Sequence, residues 1–200
     1  MTLISFNDVI ISEQENEKIN YPVEVARFKK NTRALLIKNR VTLADSIGII
    51  TKSEDIFFLN IGRWSAHDLQ FYILEQTGPA EVYLTTWAIS ELSSRLIHQG
   101  LQDGLITKLH CILDRRIEIR NDSNIALLRH SASRICFVDW HAKIMVIRNA
   151  NWNIAIMGTA NHSNNLRAES GHIYTDGPVS NYLVEIFEKV FADNKLFLWS

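Results

Sequence analysis

Apolar and polar positions change period several times along the chain, and each change marks an element. EDIFFLNIG (54–62) is a short apolar run ending at Gly62, which predicts a strand. Ser65 with Asp68 three residues later is a helix-start signal for SAHDLQFYILEQTG, which closes at Gly78, and Pro79 stops continuation. AEVYLTTW (80–87) predicts a strand, AISELSSRLIHQGLQDG (88–104) a helix with Leu92, Leu96 and Ile97 at helical spacing, and ITKLHCILD (106–114) the next strand. Two strand–helix units in succession predict parallel strands with helices on the faces of their sheet. Residues 135–174 read as strand, turn, strand, polar loop, strand, and VSNYLVEIFEKVFADNK (179–195) as an amphipathic helix covering one face. The expected fold class is α/β, a mixed, largely parallel sheet flanked by helices on both faces.

The stretch 135–174 also concentrates the chemistry. His141 and Lys143 are two residues apart on a predicted strand, so both side chains point to one face. After the turn RNANWN, the run IAIM brings Gly158, Thr159, Ala160 and Asn161 back to the same end of the sheet if the two strands pair as a hairpin. An imidazole, an ammonium, a hydroxyl and an amide then converge, a set suited to a phosphate: Lys as point charge, Asn and Thr as donors, His as nucleophile or proton carrier. Asp114, Arg115 and Arg116 end a strand on the side where parallel sheets place their sites, which makes Arg115 and Arg116 candidate substrate contacts. Trp140, like Trp64, Trp87 and Trp152, offers a ring that could stack on a base or a lipid chain, although strand and turn aromatics more often pack.

His141-Ala-Lys143, Gly158-Thr159-Ala160-Asn161 and Glu169 together resemble the signature of the phospholipase D superfamily, which runs His-x-Lys, an Asp, Gly-Ser-x-Asn and often a Glu. Two departures are plain: the family's Asp falls at about Arg148, and the interval from Lys143 to Asn161 is longer than usual. The tyrosyl-DNA phosphodiesterase branch shares both. Thr159 keeps the hydroxyl of the family's Ser. The resemblance covers roughly residues 54–195, and it implies a half of the phospholipase D-like fold. It also implies a metal-independent phosphodiesterase acting through a phosphohistidine on His141, with Lys143, Asn161 and Thr159 on the phosphate. Glu169 would fix the imidazole tautomer. The family's chemistry uses two such motifs, and this chain has one, so a homodimer with the active site at the interface is expected.

Composition narrows the substrate only modestly. The 200 residues allow one sizeable domain, or one with an appendage, and a formal net charge of −1 implies no global pull on nucleic acid or anionic lipid. Residues 1–50 begin acidic and turn basic, with Arg27, Lys29, Lys30, Arg33, Lys38 and Arg40 between Glu24 and Asp45. Such a run is either a solvated face or a phosphate-tracking contact. These residues are read as an N-terminal accessory segment and 51–200 as the catalytic domain. No apolar run is long enough to span a bilayer and the N-terminus lacks signal-peptide character, so a cytoplasmic protein without membrane insertion is expected. Cys111 and Cys136 read as buried thiols. His130, His162 and His172 raise the rival of a metal site, but no recognised ligand spacing occurs, and no metal or other cofactor is expected. Neither a Gly-rich phosphate loop nor a Gly-x-Ser-x-Gly elbow is present. DNA is the preferred substrate class. Phospholipase or phosphatidyltransferase activity, and an inactive nucleic-acid-binding module on the same fold, are the alternatives.

Overall fold

The computed structural model describes residues 32–37, 43–52, 54–61, 64–120, 122–163, 167–175 and 177–193. The first edge strand is β1 (Thr32–Ile37), and α1 (Leu43–Ser46) is a single turn. After β2 (Asp55–Ile61), helix α2 (Ala66–Thr77) starts where the sequence signals it. Ser65 Oγ accepts the Asp68 N–H, and the Asp68 carboxylate accepts the Ser65 N–H at 2.7 Å. Gly78 ends the helix at φ +78°, a conformation that favours glycine. Next come β3 (Ala80–Thr86), α3 (Glu91–Gln102) capped by Ser90, and β4 (Ile106–Asp114). RRIEIRNDSNIALLRHS, unassigned from sequence, forms α4 (Arg115–Arg120) and α5 (Asp122–Ser131). The remaining elements are β5 (Arg134–Val138), β6 (Lys143–Arg148), β7 (Asn153–Gly158), β8 (Ala168–Tyr174) and α6 (Gly177–Ala192).

The eight strands among the described residues form one sheet in the order β1-β2-β8-β7-β6-β3-β4-β5. Pairing is parallel for β1–β2, β3–β4 and β4–β5 and antiparallel for the other four contacts, so only β6 and β8 run against the rest. The sheet is thus mixed, with most strands sharing one direction. β2 and β3, consecutive strands of equal direction, are separated because the β6–β7–β8 meander inserts between them. β1 is hydrogen-bonded along β2, and Ile47 and Ile50, after α1, enter the main core. Of the basic stretch, only the backbone of 32–37 is described; the remainder lies outside the described residues.

Strand side chains alternate between two cores. One contains Val82, Leu84, Met145 and Ile156 packed under Leu69 and Ile73 of α2, Ile97 of α3 and Leu128 of α5. The other contains Tyr83, Val146 and Ala155 under Val179, Leu183 and Phe187 of α6. Helices therefore cover both faces, as expected. Leu92, one of the three positions read as apolar helix spacing, is 48% exposed; the buried positions of α3 are Ser93, Ser94, Ile97 and Gly100. Cys111 is buried and Cys136 half-buried, and both are free thiols. Burial pushes Cys136 up to about 11 and Cys111 higher still, which leaves both protonated and unreactive. Among the described residues no helix is long and apolar enough to cross a membrane.

Candidate active site

The chain leaves β5 at one edge and re-enters as β6 beyond β3, so it must cross the ends of β4 and β3. Three inter-strand spacings are about 14 Å, and the five steps from Val138 to Lys143 reach about 17 Å when extended. Residues 139–142 are consequently a nearly taut strap over the carboxyl ends of parallel strands. This corrects the expectation that His141 and Lys143 share one strand: β5 pairs with β4 and β6 with β3, and the chain breaks between them. His141 lies in the strap, and Lys143 opens β6.

Each strand end tacks the strap down. Arg115 Nε is 2.8 Å from Asp139 Oδ1. The fully buried Asp114 accepts the Trp140 N–H and also takes Arg116 Nε and a terminal nitrogen at 2.7 and 2.9 Å. Burial works to raise the Asp114 carboxyl, but these hydrogen bonds outweigh it and hold it below the usual carboxylate range. Thr85 Oγ1 donates to the Ala142 carbonyl at 2.8 Å and accepts the Ile144 N–H at 3.0 Å. With the backbone so held, the exposed His141 ring stands 5.6 Å from the Trp87 ring, centroid to centroid, and Arg116 lies over Trp87 at 5.2 Å. Arg115 is thus an anchor of the strap and Arg116 braces Asp114, each still about half exposed. Trp140 packs into the core beneath α6.

Lys143 Nζ lies 3.2 and 3.3 Å from the two ring nitrogens of His141 and donates to its carbonyl at 2.6 Å. An ammonium has only donors, so the nitrogen receiving it carries a free lone pair. Burial lowers Lys143 from the ordinary lysine value, and the charges of Glu169 and Asp114 oppose that shift. Gly158 pairs directly with Lys143, so the hairpin returns Thr159 and Asn161 to the site despite its length. Thr159 Oγ1 donates to Glu169 and accepts the Ser170 N–H at 3.0 Å. Asn161 Oδ1 accepts the Trp87 N–H at 3.2 Å and the Thr86 hydroxyl at 3.3 Å, which leaves its amide NH2 as the group able to meet a phosphate. The position matching the family's Asp, Arg148, is the last residue of β6, about 17 Å along the strand from Lys143. That departure sits at the far end of the sheet.

Sequence reasoning missed two features. The first is a cleft of about 370 Å³, open mouth included, between α2 and the sheet with Lys143 at its edge and Phe58, Trp64, Leu69 and Ile156 among its walls. Paired Gly158 and Gly171 clear this region: a Cβ at 158 would meet the Ser170 carbonyl oxygen at 2.6 Å, and one at 171 would collide with the Phe58 ring. The second is the setting of His162, weighed from the sequence only as a metal candidate: its ring is buried with Nε2 3.0 Å from Gln70 Oε1. Its only sequence signal was a histidine directly after the Asn of the motif. Burial pushes it down to about 3, with nearby His67 adding in the same direction. His172 stacks on Tyr174 at 4.1 Å, and His130 is exposed. Among the described residues, no three or more His, Cys, Asp or Glu gather as a metal-holding group.

No family model matches the sequence, and no curated protein matches it. Solved structures do match. NucT from Helicobacter pylori aligns over 68% of this chain and 95% of its own, with 17% identity and a TM-score of 0.52. A polyphosphate kinase from Porphyromonas gingivalis aligns over 70% of this chain and 26% of its own, with 17% identity and a TM-score of 0.54. Nuc from Salmonella typhimurium, described as a phospholipase D family member, aligns at 10% identity over 60% of this chain and 84% of its own, with a TM-score of 0.44. The chain thus shares the mixed α/β fold of NucT over about two thirds of its own length and nearly all of NucT's.

Proposed function

We propose that the chain is a metal-independent phosphodiesterase, a nuclease acting on DNA through a phosphohistidine intermediate. The observation that carries this reading is the contact of the His141 ring with Lys143, with Thr159, Asn161 and Glu169 returned to the same strand ends. An unprotonated nitrogen of His141 attacks phosphorus; the P–N bond forms as the P–O bond to the leaving group breaks. Lys143 and the Asn161 amide neutralise and orient the non-bridging oxygens. A second imidazole is needed to protonate the leaving oxygen and then to take a proton from the water that opens the P–N bond. The partner's His141 in a homodimer supplies it. Glu169 keeps Thr159 in place and offsets the Lys143 charge. It is also the carboxylate that would hold the imidazole tautomer.

DNA is preferred because Arg115 and Arg116 stand half exposed on the rim next to the aromatic Trp87, a surface able to follow a phosphate backbone. A second reading, a phospholipase or phosphatidyltransferase, draws support from the apolar walls of the cleft beside Lys143. The deciding assay offers labelled single-stranded DNA, double-stranded DNA and a short-chain phosphatidylcholine to the protein in excess chelator. Chelator-resistant DNA cleavage with the lipid untouched is the expected result. Lipid hydrolysis alone would replace the nuclease reading with the second one.

A further inference from the structure

Resting on the phosphodiesterase reading, we propose that Thr86 is the positioning residue for Asn161: its hydroxyl sets the amide so that the NH2 end meets a phosphate oxygen. Asn161 lies in the loop after β7, where an amide unsupported by a strand or helix could turn about its side-chain bonds and present either end. Its Oδ1 accepts the Trp87 N–H at 3.2 Å, and a backbone N–H can only donate. The oxygen is therefore the end that is held, and the NH2 is the end that is presented. Thr86 is fully buried at the carboxyl end of β3, within reach of both partners of this contact.

One hydroxyl organises the whole junction. Thr86 Oγ1 donates to the Ala88 carbonyl at 2.7 Å and accepts the Ala88 N–H at 3.4 Å, which closes a turn over Trp87 and aims the Trp87 N–H. The same oxygen accepts the His162 N–H at 3.2 Å and lies 3.3 Å from Asn161 Oδ1, so it also fixes the backbone directly after Asn161. Deleting it loosens both sides of the Asn161–Trp87 contact at once. The loop itself has other ties: the Ser90 N–H donates to the His162 carbonyl at 2.8 Å, and the His162 ring meets Gln70 Oε1 at 3.0 Å. Loss of the hydroxyl therefore frees the amide while the chain keeps its path. Neighbouring Thr85 does the corresponding work for the other half of the motif, holding the Ala142 carbonyl and the Ile144 N–H on either side of Lys143. The last two residues of β3 thus address the two halves of the phosphate site.

The test is a double-mutant cycle read by calorimetric binding of inorganic phosphate to the full chain, independently of turnover. Thr86→Val keeps the shape and deletes the hydroxyl. It should weaken phosphate binding at least about fivefold, against about tenfold or more for Asn161→Ala, the scale of one hydrogen bond to a charged group. In the Asn161→Ala background the same Thr86→Val change should cost less than about twofold, because the group it positions is gone. Thr86→Ser keeps the hydroxyl and should restore binding to within about twofold of the parent protein. Should Thr86→Val not fold, Thr86→Cys, with a weak donor and acceptor in place of the hydroxyl, should show the same dependence on Asn161 in lesser degree. A loss of equal size with and without the Asn161 amide, no loss at all, or no phosphate binding by the parent protein would overturn the assignment. Chelator-resistant DNA cleavage separates the two readings. Cleavage by a chain in which the two changes add independently removes the positioning role and keeps the nuclease, whereas a coupled cycle in a chain that cleaves no nucleic acid keeps the positioning role and removes the nuclease.

Discussion

His141→Ala should remove about 10⁴-fold or more of the chelator-resistant cleavage, the scale seen when a covalent nucleophile is deleted, while leaving the fold intact. The second half follows from where the ring sits. His141 is exposed on the strap, touches Trp87 and Lys143, and belongs to neither core. Its loss should change the unfolding free energy by no more than about 0.5 kcal/mol, the range of surface substitutions. Lys143→Ala should cost about 10²- to 10³-fold, because it deletes one charge from phosphate stabilisation and spares the nucleophile. Lys143→Arg would not restore full rate, since a planar fork cannot replace a compact ammonium within 3.3 Å of both ring nitrogens. Steady-state cleavage of one labelled oligonucleotide, with urea unfolding of the same preparations, reads both halves. A His141→Ala protein that unfolds in parallel with its loss of activity would contradict the placement on the strap.

The second large effect is acid sensitivity. His162 is neutral in the folded protein and pushed down to about 3 by burial, whereas in the unfolded chain it takes a proton below about pH 6.5. The unfolded state then binds more protons, so stability is fully present above about pH 6.5 and falls as pH drops from there towards 3. At pH 5 the loss from this residue is about 2 kcal/mol. His67, held by Ser65 and Ser93 hydroxyls at 2.8 Å each, is also lowered by burial and acts in the same direction, as do His110 and His172. His162→Gln keeps a donor for Gln70 without a titrating ring. Its stability should depend less on pH, by about 2 kcal/mol between pH 7 and pH 5. Urea unfolding of both proteins at the two values checks this; equal slopes would show that His162 titrates as an exposed imidazole.

The chain's local signals transmitted the elements well. The Ser65–Asp68 capping box, Gly78 after α2 and the apolar runs of β3 and β4 each specify their structure within a few neighbouring residues. The hairpin carrying Lys143 and Asn161 was legible for the same reason: strand, turn and strand are contiguous, and their pairing fixes which residues meet. What stayed hidden depends on contacts distant in sequence. The strap's path follows from β6 pairing with β3 instead of β5, and the anchors Asp114 and Thr85 acquire their meaning only there. Helices α4 and α5 escaped because Arg and Asn interrupt their apolar spacing, and α5 is held to α3 by tertiary packing. The cleft required Gly158 and Gly171, thirteen residues apart, to lie opposite each other.

The central claim is that His141 becomes covalently bonded to phosphorus. Its most direct test mixes excess protein with a labelled oligonucleotide in chelator, quenches in base, where a phosphoramidate bond survives, and maps the adduct by peptide mass spectrometry. A nucleotide joined to His141 during the first turnover, and absent from His141→Ala, is the expected result. Complete cleavage in that first turnover with no adduct on His141, or with an adduct on another residue, would contradict the account.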